Sequence, residues 1–192
     1  MAHPEISPAR CVPLATLPGM AERTVTISSA GKTFSVTGWK IGWLHARADL
    51  VTAIATVKQF LTYVNGAPFQ PAVAEALDLP DTYFESVANT LRQGRDLLVS
   101  GLRSAGFGVS VPQGTYFVVA DAAPLGYRDG LALCRRLPEL AGVVAIPVRA
   151  FHDQARLEDG PGPVGSLVRF AFCKRPAVLE EAVERLARLP RP

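Results

Sequence analysis

The sequence predicts an α/β fold, because short β-branched segments alternate with amphipathic helices along its 192 residues. The alternation is clearest from residue 80 onward. Before that point, a strand runs into a small-residue turn and helices follow, as at the edge of a larger structure. A hydrophobic fraction of 48%, with 16 glycines and 16 prolines, is typical of a packed domain with many turns.

The first part of the chain, residues 1–79, contains an irregular arm, a strand and two helices. Residues 1–22 lack periodicity and are rich in proline, so we expect them to be irregular. β-Branched residues and apolar spacings of three and four then predict a strand at Thr24–Ile27, a turn at Ser28–Gly31, a helix over Ala48–Leu61 and a short helix over Pro71–Leu79.

The second part, residues 80–192, alternates strands with helices. Apolar positions from Tyr83 to Leu102 mark a long helix, and Gly106 is its predicted C-cap. Strands are then expected at residues 108–111, 115–120, 143–148 and 167–172, helices at 129–137 and 177–189, and an exposed loop at 153–165.

Charge and composition argue against several kinds of partner. Lysine and arginine total 20 against 17 acidic residues, and they are scattered rather than gathered into a basic stripe. No apolar run is long enough to span a bilayer or form a signal peptide. We therefore expect neither nucleic acid nor membrane as a partner.

The cysteines and histidines argue against a metal site. The three cysteines have no CxxC spacing, which disfavours a disulfide framework and structural zinc and fits a reducing cytoplasm. The three histidines share no metal-ligand spacing. No metal is therefore predicted.

The most informative stretch surrounds Lys32, which lies where a strand meets a loop of small and aromatic residues. Such surroundings can desolvate a lysine and remove part of its charge, as a Schiff-base amine requires. Ser29 and Lys40 can offer a hydroxyl and a point charge to one phosphate. From spacing alone, an ordinary surface lysine beside a glycine-rich turn is the alternative interpretation.

The pattern Ser29-x-x-Lys32, followed by Gly38-x-Lys40-Ile41-Gly42, resembles the pyridoxal-phosphate (PLP) attachment motif of class I/II aminotransferases. The resemblance implies that Lys32 forms the Schiff base with PLP and that Ser29 and Lys40 hold its phosphate. It also implies that the chain is the C-terminal part of a fold-type I PLP-dependent transferase. Residues 1–79 would then be a remnant of the large PLP-binding domain, and residues 80–192 the α/β small domain.

Two further stretches resemble the kynurenine and methionine aminotransferase branch of that family, namely Tyr63–Gln70 and Pro112–Phe117. The resemblance implies that the first approaches the active site near a dimer interface. The second would lead a strand of the small domain. Simple turn and core packing is the alternative for both.

Arg169 interrupts the apolar strand Leu167–Cys173. An arginine in such a strand needs a partner to offset its burial, and a carboxylate is the natural one. A structural aspartate or glutamate is the alternative partner. The resemblance implies instead that Arg169 binds the substrate α-carboxylate with a bidentate fork, a geometry that lysine cannot copy.

The front of the family pattern has no counterpart in this sequence. It would supply a phosphate-capping loop, an aromatic that stacks on the cofactor ring, an asparagine, and an aspartate that keeps the ring nitrogen protonated. Glu5 is the only acid in residues 1–10. We therefore expect exposed apolar surface where the missing N-terminal half would pack.

The expected function is PLP-dependent transamination between an L-amino acid and a 2-oxo acid through Lys32, completed by the missing half and by homodimer formation. One alternative is a truncated, non-catalytic remnant that binds a partner through the surface its lost domain once covered. A nearer alternative is a PLP-dependent β-lyase, which shares the lysine motif.

Overall fold

The computed structural model describes residues 11–152 and 164–192. The start of the predicted arm, with Glu5, and residues 153–163 of the predicted loop lie outside that part of the chain.

The chain divides into two compact units, Met1–Tyr83 and Phe84–Pro192. The expected domain boundary between residues 79 and 80 falls near this division. The identification of the units as a large-domain remnant and a small domain stays a prediction.

The first unit contains a two-stranded antiparallel sheet and three helices. Its elements are β1 (Thr26–Ser29), α1 (Ala30–Thr33), β2 (Gly42–His45), α2 (Ala48–Leu61) and α3 (Gln70–Leu77). The register of β1 and β2 runs from Thr26 opposite His45 to Ser29 opposite Gly42. The single turn of α1 and a tight loop join the two strands.

The sequence patterns located the helices of this unit better than its strands. The helix predicted over Ala48–Leu61 is confirmed at both ends, and the short helix ends at Leu77 rather than Leu79. Strand β1 lies further along than predicted because Ser28 and Ser29, predicted as a turn, continue the pairing. No pattern indicates β2, since Gly42–His45 contains no β-branched residue.

The core of the first unit is small. Ala30, Ile41 and Val73 are its buried residues among those described, and four partly buried side chains pack against them: Phe34, Val36, Trp39 and Trp43. Helix α2 contributes no buried residue. Its side chains Phe60 and Leu61 are 83% and 76% exposed, so the expected exposed apolar surface is present in this unit.

The second unit packs helices against one face of a four-stranded sheet. Its elements are α4 (Asp81–Ala105, beginning in the first unit), β3 (Gly108–Val109), β4 (Phe117–Asp121), α5 (Gly130–Ala141), β5 (Ile146–Pro147), β6 (Leu167–Ala171) and α6 (Pro176–Ala187). The strand order is β3-β4-β6-β5, and every neighbouring pair is antiparallel.

One hydrophobic core joins this sheet to its helices. Each large apolar side chain buried there contributes about 1.5–3 kcal/mol to stability. The buried core residues on α4, α5, α6 and the two central strands are Leu98, Val99, Leu102, Val118, Ala120, Leu133, Leu137, Val168, Phe170, Leu179 and Leu186.

The predicted C-cap glycine of α4 is confirmed. Gly106 has φ +100°, and its N–H donates to the Arg103 carbonyl at 3.0 Å. The N–H of Phe107 donates to the Leu102 carbonyl at 3.0 Å. These bonds satisfy carbonyl groups that the helix end leaves open.

Helix α5 is longer than predicted. The sequence analysis places its end at Leu137, but the helix continues through Pro138 to Ala141, and its C-cap is Gly142, whose φ is +62°. Buried Leu133 and Leu137 hold the helix on the core through this region. The Asp129 side chain caps the other end by accepting from two backbone N–H groups.

The edges of the sheet are shorter than predicted. Strand β5 covers only Ile146–Pro147 of the predicted residues 143–148. Strand β4 begins at Phe117 rather than Thr115, because Thr115 has φ +65°, which extended pairing does not accommodate.

The close approach of α4 and α6 predicts the effect of Gly101→Ala. An added Cβ would lie 2.8 Å from the Val183 Cβ and would overlap both Val183 methyl carbons. We expect the free energy of unfolding to fall by about 1–3 kcal/mol, although alanine ordinarily stabilises a helix interior relative to glycine by about 0.5–1 kcal/mol. Urea titration followed by circular dichroism measures the change.

The matched control for this variant is Ser100→Ala, because Ser100 is an exposed neighbour in the same helix. Its effect should stay within about 0.5 kcal/mol. A Gly101→Ala chain at least as stable as this control would contradict the packing argument.

Candidate active site

Three predicted site residues lie in one short segment of the first unit. Ser29 ends β1, Lys32 lies in α1, and Lys40 comes just before β2. The N–H of Ala30 donates to the Ile41 carbonyl at 3.0 Å, which continues the β1–β2 ladder beyond its last pair. Ser29 and Lys40 are the chain neighbours of these two bonded residues, so the ladder brings their backbones together.

The loop that carries Lys32 is closed by a second contact. The Thr37 hydroxyl donates to the Gly31 carbonyl at 3.0 Å. A Cβ at Gly31 would lie 3.2 Å from the Thr37 Cα, closer than nearly all real contacts of this type. Glycine therefore lets the chain return tightly after α1.

Lys40 has a left-handed backbone conformation, with φ 57° and ψ 37°. A non-glycine residue in this region costs on the order of 1 kcal/mol, and such residues cluster at functional sites. The Asn65 side-chain amide donates to the Lys40 carbonyl at 3.3 Å. Gly66, with φ +62°, lies so close to the Ile41 side chain that a Cβ would collide with it. The turn at Asn65–Gly66 therefore supports the Lys40 backbone.

Asn65 is a positioning residue that the sequence analysis did not assign. The sequence does contain a signal for Asn65, because Asn-Gly marks a turn and Tyr63–Gln70 resembles a stretch of the kynurenine and methionine aminotransferase branch. The Gln70 amide donates to the Asn65 carbonyl at 3.1 Å. Phe69 stacks on Trp39, with ring centroids 4.6 Å apart. This stretch therefore packs beside the lysine-bearing loop.

The polar groups of this segment are open to solvent. Ser29, Lys32 and Lys40 are all exposed, so the described residues of this unit do not supply the desolvation expected around Lys32. The Ser29 hydroxyl makes no capping bond to α1. No acidic residue in the described chain forms an ion pair with either lysine.

The polar groups of this segment fit two parts of PLP, its aldehyde and its phosphate. A free amine suits the cofactor aldehyde, and a hydroxyl with an ammonium group suits its phosphate. The described chain presents no acid in this segment for the ring nitrogen. The segment therefore has the chemistry to hold the aldehyde and phosphate ends of the cofactor.

Arg169 belongs to the second unit, on the central strand β6. It lies opposite Val119 on β4 and opposite Ile146 on β5. Its strand neighbours Val168 and Phe170 point into the core, so its side chain leaves from the other face of the sheet.

No hydrogen-bond acceptor for the Nε of Arg169 and no ion-pair partner for its guanidinium is found in the described chain. Its Nε–H is buried and donates to no acceptor there, and none of the ion pairs found involves Arg169. An unsatisfied buried donor costs about 1–3 kcal/mol. The structural Asp or Glu that the sequence left open as a partner is not found among the described residues, and the role of Arg169 in carboxylate binding stays a prediction.

Two aromatic rings contact this guanidinium. The Arg169 Cζ lies 3.8 Å from the Phe117 ring centroid and 4.4 Å from that of Phe151. The sequence analysis assigned neither ring to the site. No local spacing reveals them, because the contact joins three separate elements.

The described residues offer no metal site. Within residues 11–152 and 164–192, no group of three His, Cys, Asp or Glu side chains could hold a metal ion.

Burial raises the pKa of Cys134 to about 11, so its thiol is protonated at neutral pH. In the same ranges, no helix is long and apolar enough to cross a bilayer.

Comparison with known proteins gives a consistent set of relatives. The family described as Aminotransferase class I and II matches residues 1–186. A probable N-succinyldiaminopimelate aminotransferase of Mycobacterium tuberculosis is 51% identical over 181 residues, which are 93% of this chain and 46% of that protein. The kynurenine–oxoglutarate transaminase of Dictyostelium discoideum is 38% identical, over 91% of this chain and 43% of its own length.

Solved structures agree. The N-succinyldiaminopimelate aminotransferase from Mycobacterium tuberculosis superimposes with a TM-score of 0.87 at 52% identity, over 95% of this chain and 46% of that one. A methionine aminotransferase from Escherichia coli gives a TM-score of 0.82 at 34% identity, over 93% and 45%. The expected fold, part of a fold-type I transferase, is confirmed, and the chain spans less than half the length of these relatives.

The tight pairing at Gly42 predicts how the lysine-bearing segment responds to a small substitution. A Cβ at Gly42 would lie 2.8 Å from the Ser28 carbonyl oxygen, so Gly42→Ala must shift β2 away from β1. We expect the exchange rate of the Ala30 amide hydrogen to rise about tenfold, which corresponds to about 1.4 kcal/mol of opening free energy. Hydrogen exchange followed by NMR measures it.

Gly38→Ala is the control, because Gly38 lies in the same segment and a Cβ there meets nothing within 4 Å. Its Ala30 exchange rate should match that of the unsubstituted chain. Equal rates in the Gly42 and Gly38 variants would refute the proposed constraint.

Proposed function

This chain belongs to the aminotransferase class I and II family, and from that premise we propose that it is the lysine-bearing part of a transaminase that uses pyridoxal phosphate. The observation that carries the proposal is the exposed segment in which Ser29, Lys32 and Lys40 hold unpaired polar groups. Class I and II aminotransferases use pyridoxal phosphate. When bound, the cofactor withdraws electrons from the substrate α-carbon.

Lys32 has two proposed tasks, and each of the other site residues has one. The Lys32 amine binds the cofactor aldehyde and then, once free, acts as general base and acid for the proton at the substrate α-carbon. Ser29 and Lys40 bind the phosphate. Arg169 binds the substrate α-carboxylate and thereby orients the α-carbon, a positioning effect that lowers the barrier without bond chemistry.

The substrates are an amino acid and a 2-oxo acid. The 51% identical relative is named for N-succinyldiaminopimelate, which makes that compound the first amino donor to test, followed by kynurenine and methionine. A β-lyase would use the same lysine but expel the substituent on the substrate β-carbon and release ammonia and a 2-oxo acid. Product analysis with a 2-oxo acid acceptor separates the two reactions, because only transamination converts the acceptor into an amino acid.

We propose that activity needs a further polypeptide and a dimeric assembly. Three observations support the need for a further polypeptide: the relatives are more than twice as long as their matched segment, Lys32 is exposed, and α2 buries none of its residues. The dimeric assembly rests on the family resemblance alone. A covering polypeptide would desolvate the lysine and bury α2. In the longer relatives, the matched segment occupies only 46% of the chain.

A second candidate function is a binding module without catalysis. The observation that favours it is again α2, on which Val57, Phe60 and Leu61 are all more than half exposed. Such a patch on a small unit marks an interaction surface. The two functions make different predictions for cofactor binding.

Lys32→Ala tests the proposed cofactor lysine. The purified chain is titrated with pyridoxal phosphate, reduced with borohydride and digested, and the labelled lysine is mapped by mass spectrometry. We expect stoichiometric label on Lys32 and none after Lys32→Ala, because alanine has no amine to react. Lys58→Ala is the control, since Lys58 is another exposed lysine of the same unit.

Lys40→Ala separates attachment from phosphate binding. The label should stay on Lys32, while the affinity for pyridoxal phosphate should fall about tenfold, because a charge-assisted hydrogen bond contributes about 1.5–3 kcal/mol. Label spread over several lysines in the unsubstituted chain would exclude the cofactor site and favour the binding module.

Phe60→Asp tests the proposed covering of α2. The partner is the separately expressed front part of the 51% identical relative, and binding is followed by size-exclusion chromatography and calorimetry. Phe60 is 83% exposed in this structure, and burying a phenylalanine contributes about 1.5–3 kcal/mol. We expect the variant to bind this partner at least about tenfold more weakly.

The control is Gln59→Asp, which adds the same charge at an exposed polar neighbour and should bind normally. Absence of any complex with the unsubstituted chain would refute the covering of α2. The labelling experiment on Lys32 does not depend on that result.

A further inference from the structure

We propose that Phe117 and Phe151 are positioning residues that fix the Arg169 guanidinium for its carboxylate ligand. This inference rests on the proposed role of Arg169 as the carboxylate-binding residue. Both lie close to the Arg169 Cζ, at 3.8 Å for Phe117 and 4.4 Å for Phe151.

Phe117 reaches Arg169 along the face of the sheet that is turned away from the core. In the β4–β6 register, Val119 lies opposite Arg169 and Phe117 lies opposite Ala171. Side chains two residues apart on a strand point to the same side, so Phe117 and Arg169 are diagonal neighbours. Val118, between Phe117 and Val119, is fully buried on the other face.

Phe151 contacts the same guanidinium from the side of β5, the other strand that pairs with β6. Ile146 of β5 is the second register partner of Arg169, and the 3-10 helix Val148–Phe151 follows β5 directly. One ring therefore comes from β4 and the other from the segment after β5. The rings therefore approach Arg169 from the two sides of β6.

These contacts suit a guanidinium that must present its edge. The N–H groups of arginine lie in the plane of the guanidinium, whereas aromatic rings bind a cation over their faces. A ring contact thus restrains the guanidinium and leaves its N–H groups available to a carboxylate. A carboxylate that binds a restrained fork loses less conformational entropy on binding.

No polar contact in the described chain performs this task instead. Arg169 Nε is buried without an acceptor, and no ion pair found there includes Arg169. Phe151 is 58% exposed, so core packing does not account for its position. Its contact with the guanidinium does, and a substitution there should leave the fold intact.

The test uses the full chain labelled with ¹⁵N, and NMR follows the Nε–H signal of Arg169, assigned with Arg169→Lys. Pyruvate, a 2-oxo acid with one carboxylate, is the titrated probe. In Phe151→Leu we expect loss of the ring-current shift on this signal and roughly three- to fivefold weaker pyruvate binding. Phe151→Tyr restores both, because it keeps a ring of the same size.

Phe117→Leu should have the same effect. Val178→Ala is the control, since Val178 is a partly exposed apolar residue on α6, a helix that packs on the core side of the sheet. Urea unfolding checks that each variant is folded. A pyruvate response that survives unchanged in both Phe151→Leu and Phe117→Leu overturns the inference alone. No pyruvate response in the unsubstituted chain refutes the carboxylate role of Arg169 and overturns the inference with it.

Discussion

The backbone hydrogen bond from Ala30 to Ile41 is the contact on which the lysine-bearing segment depends. It carries the pairing of β1 and β2 past their last strand residues and holds the two ends of the intervening loop together. Within that loop, Lys32 is fixed at one end and Lys40 at the other. Ala30 is fully buried, so the bond is shielded from water, and its loss would release both lysines at once.

The two units obtain their stability in different ways. The second unit buries leucines from three helices against its sheet, and such a core can support a fold by itself. The first unit has three buried residues among those described and depends on backbone pairing and on the turn at Asn65–Gly66. A unit with so little core opens readily, which suits a segment that would be completed by other surfaces.

Sequence reasoning was successful where a local pattern decides the structure. The periodicity of Ala48–Leu61 and the glycine at position 106 depend only on near neighbours, and the structure agrees with both. The extent of α5 depends on the packing of Leu137, which holds the proline-containing turn against the core. The spacing of apolar residues in the sequence does not reveal the strength of that packing. The proposed site residues fall into the same two groups. A local motif predicts Ser29, Lys32 and Lys40 as cofactor-binding residues. The ring contacts of Arg169 instead join elements that are far apart in the sequence, so no local motif predicts them.

The unsatisfied Nε of Arg169 has an evolutionary consequence. Its desolvation, on the order of 1–3 kcal/mol, roughly offsets what the two ring contacts contribute, so selection for a stable fold alone does not favour arginine there. Under the proposed role of Arg169, a lineage that lost carboxylate binding would drift toward leucine or methionine at this position without harm. Retention of arginine at this position in related chains would therefore indicate continued selection for ligand binding. Its replacement would indicate that this selection had ended.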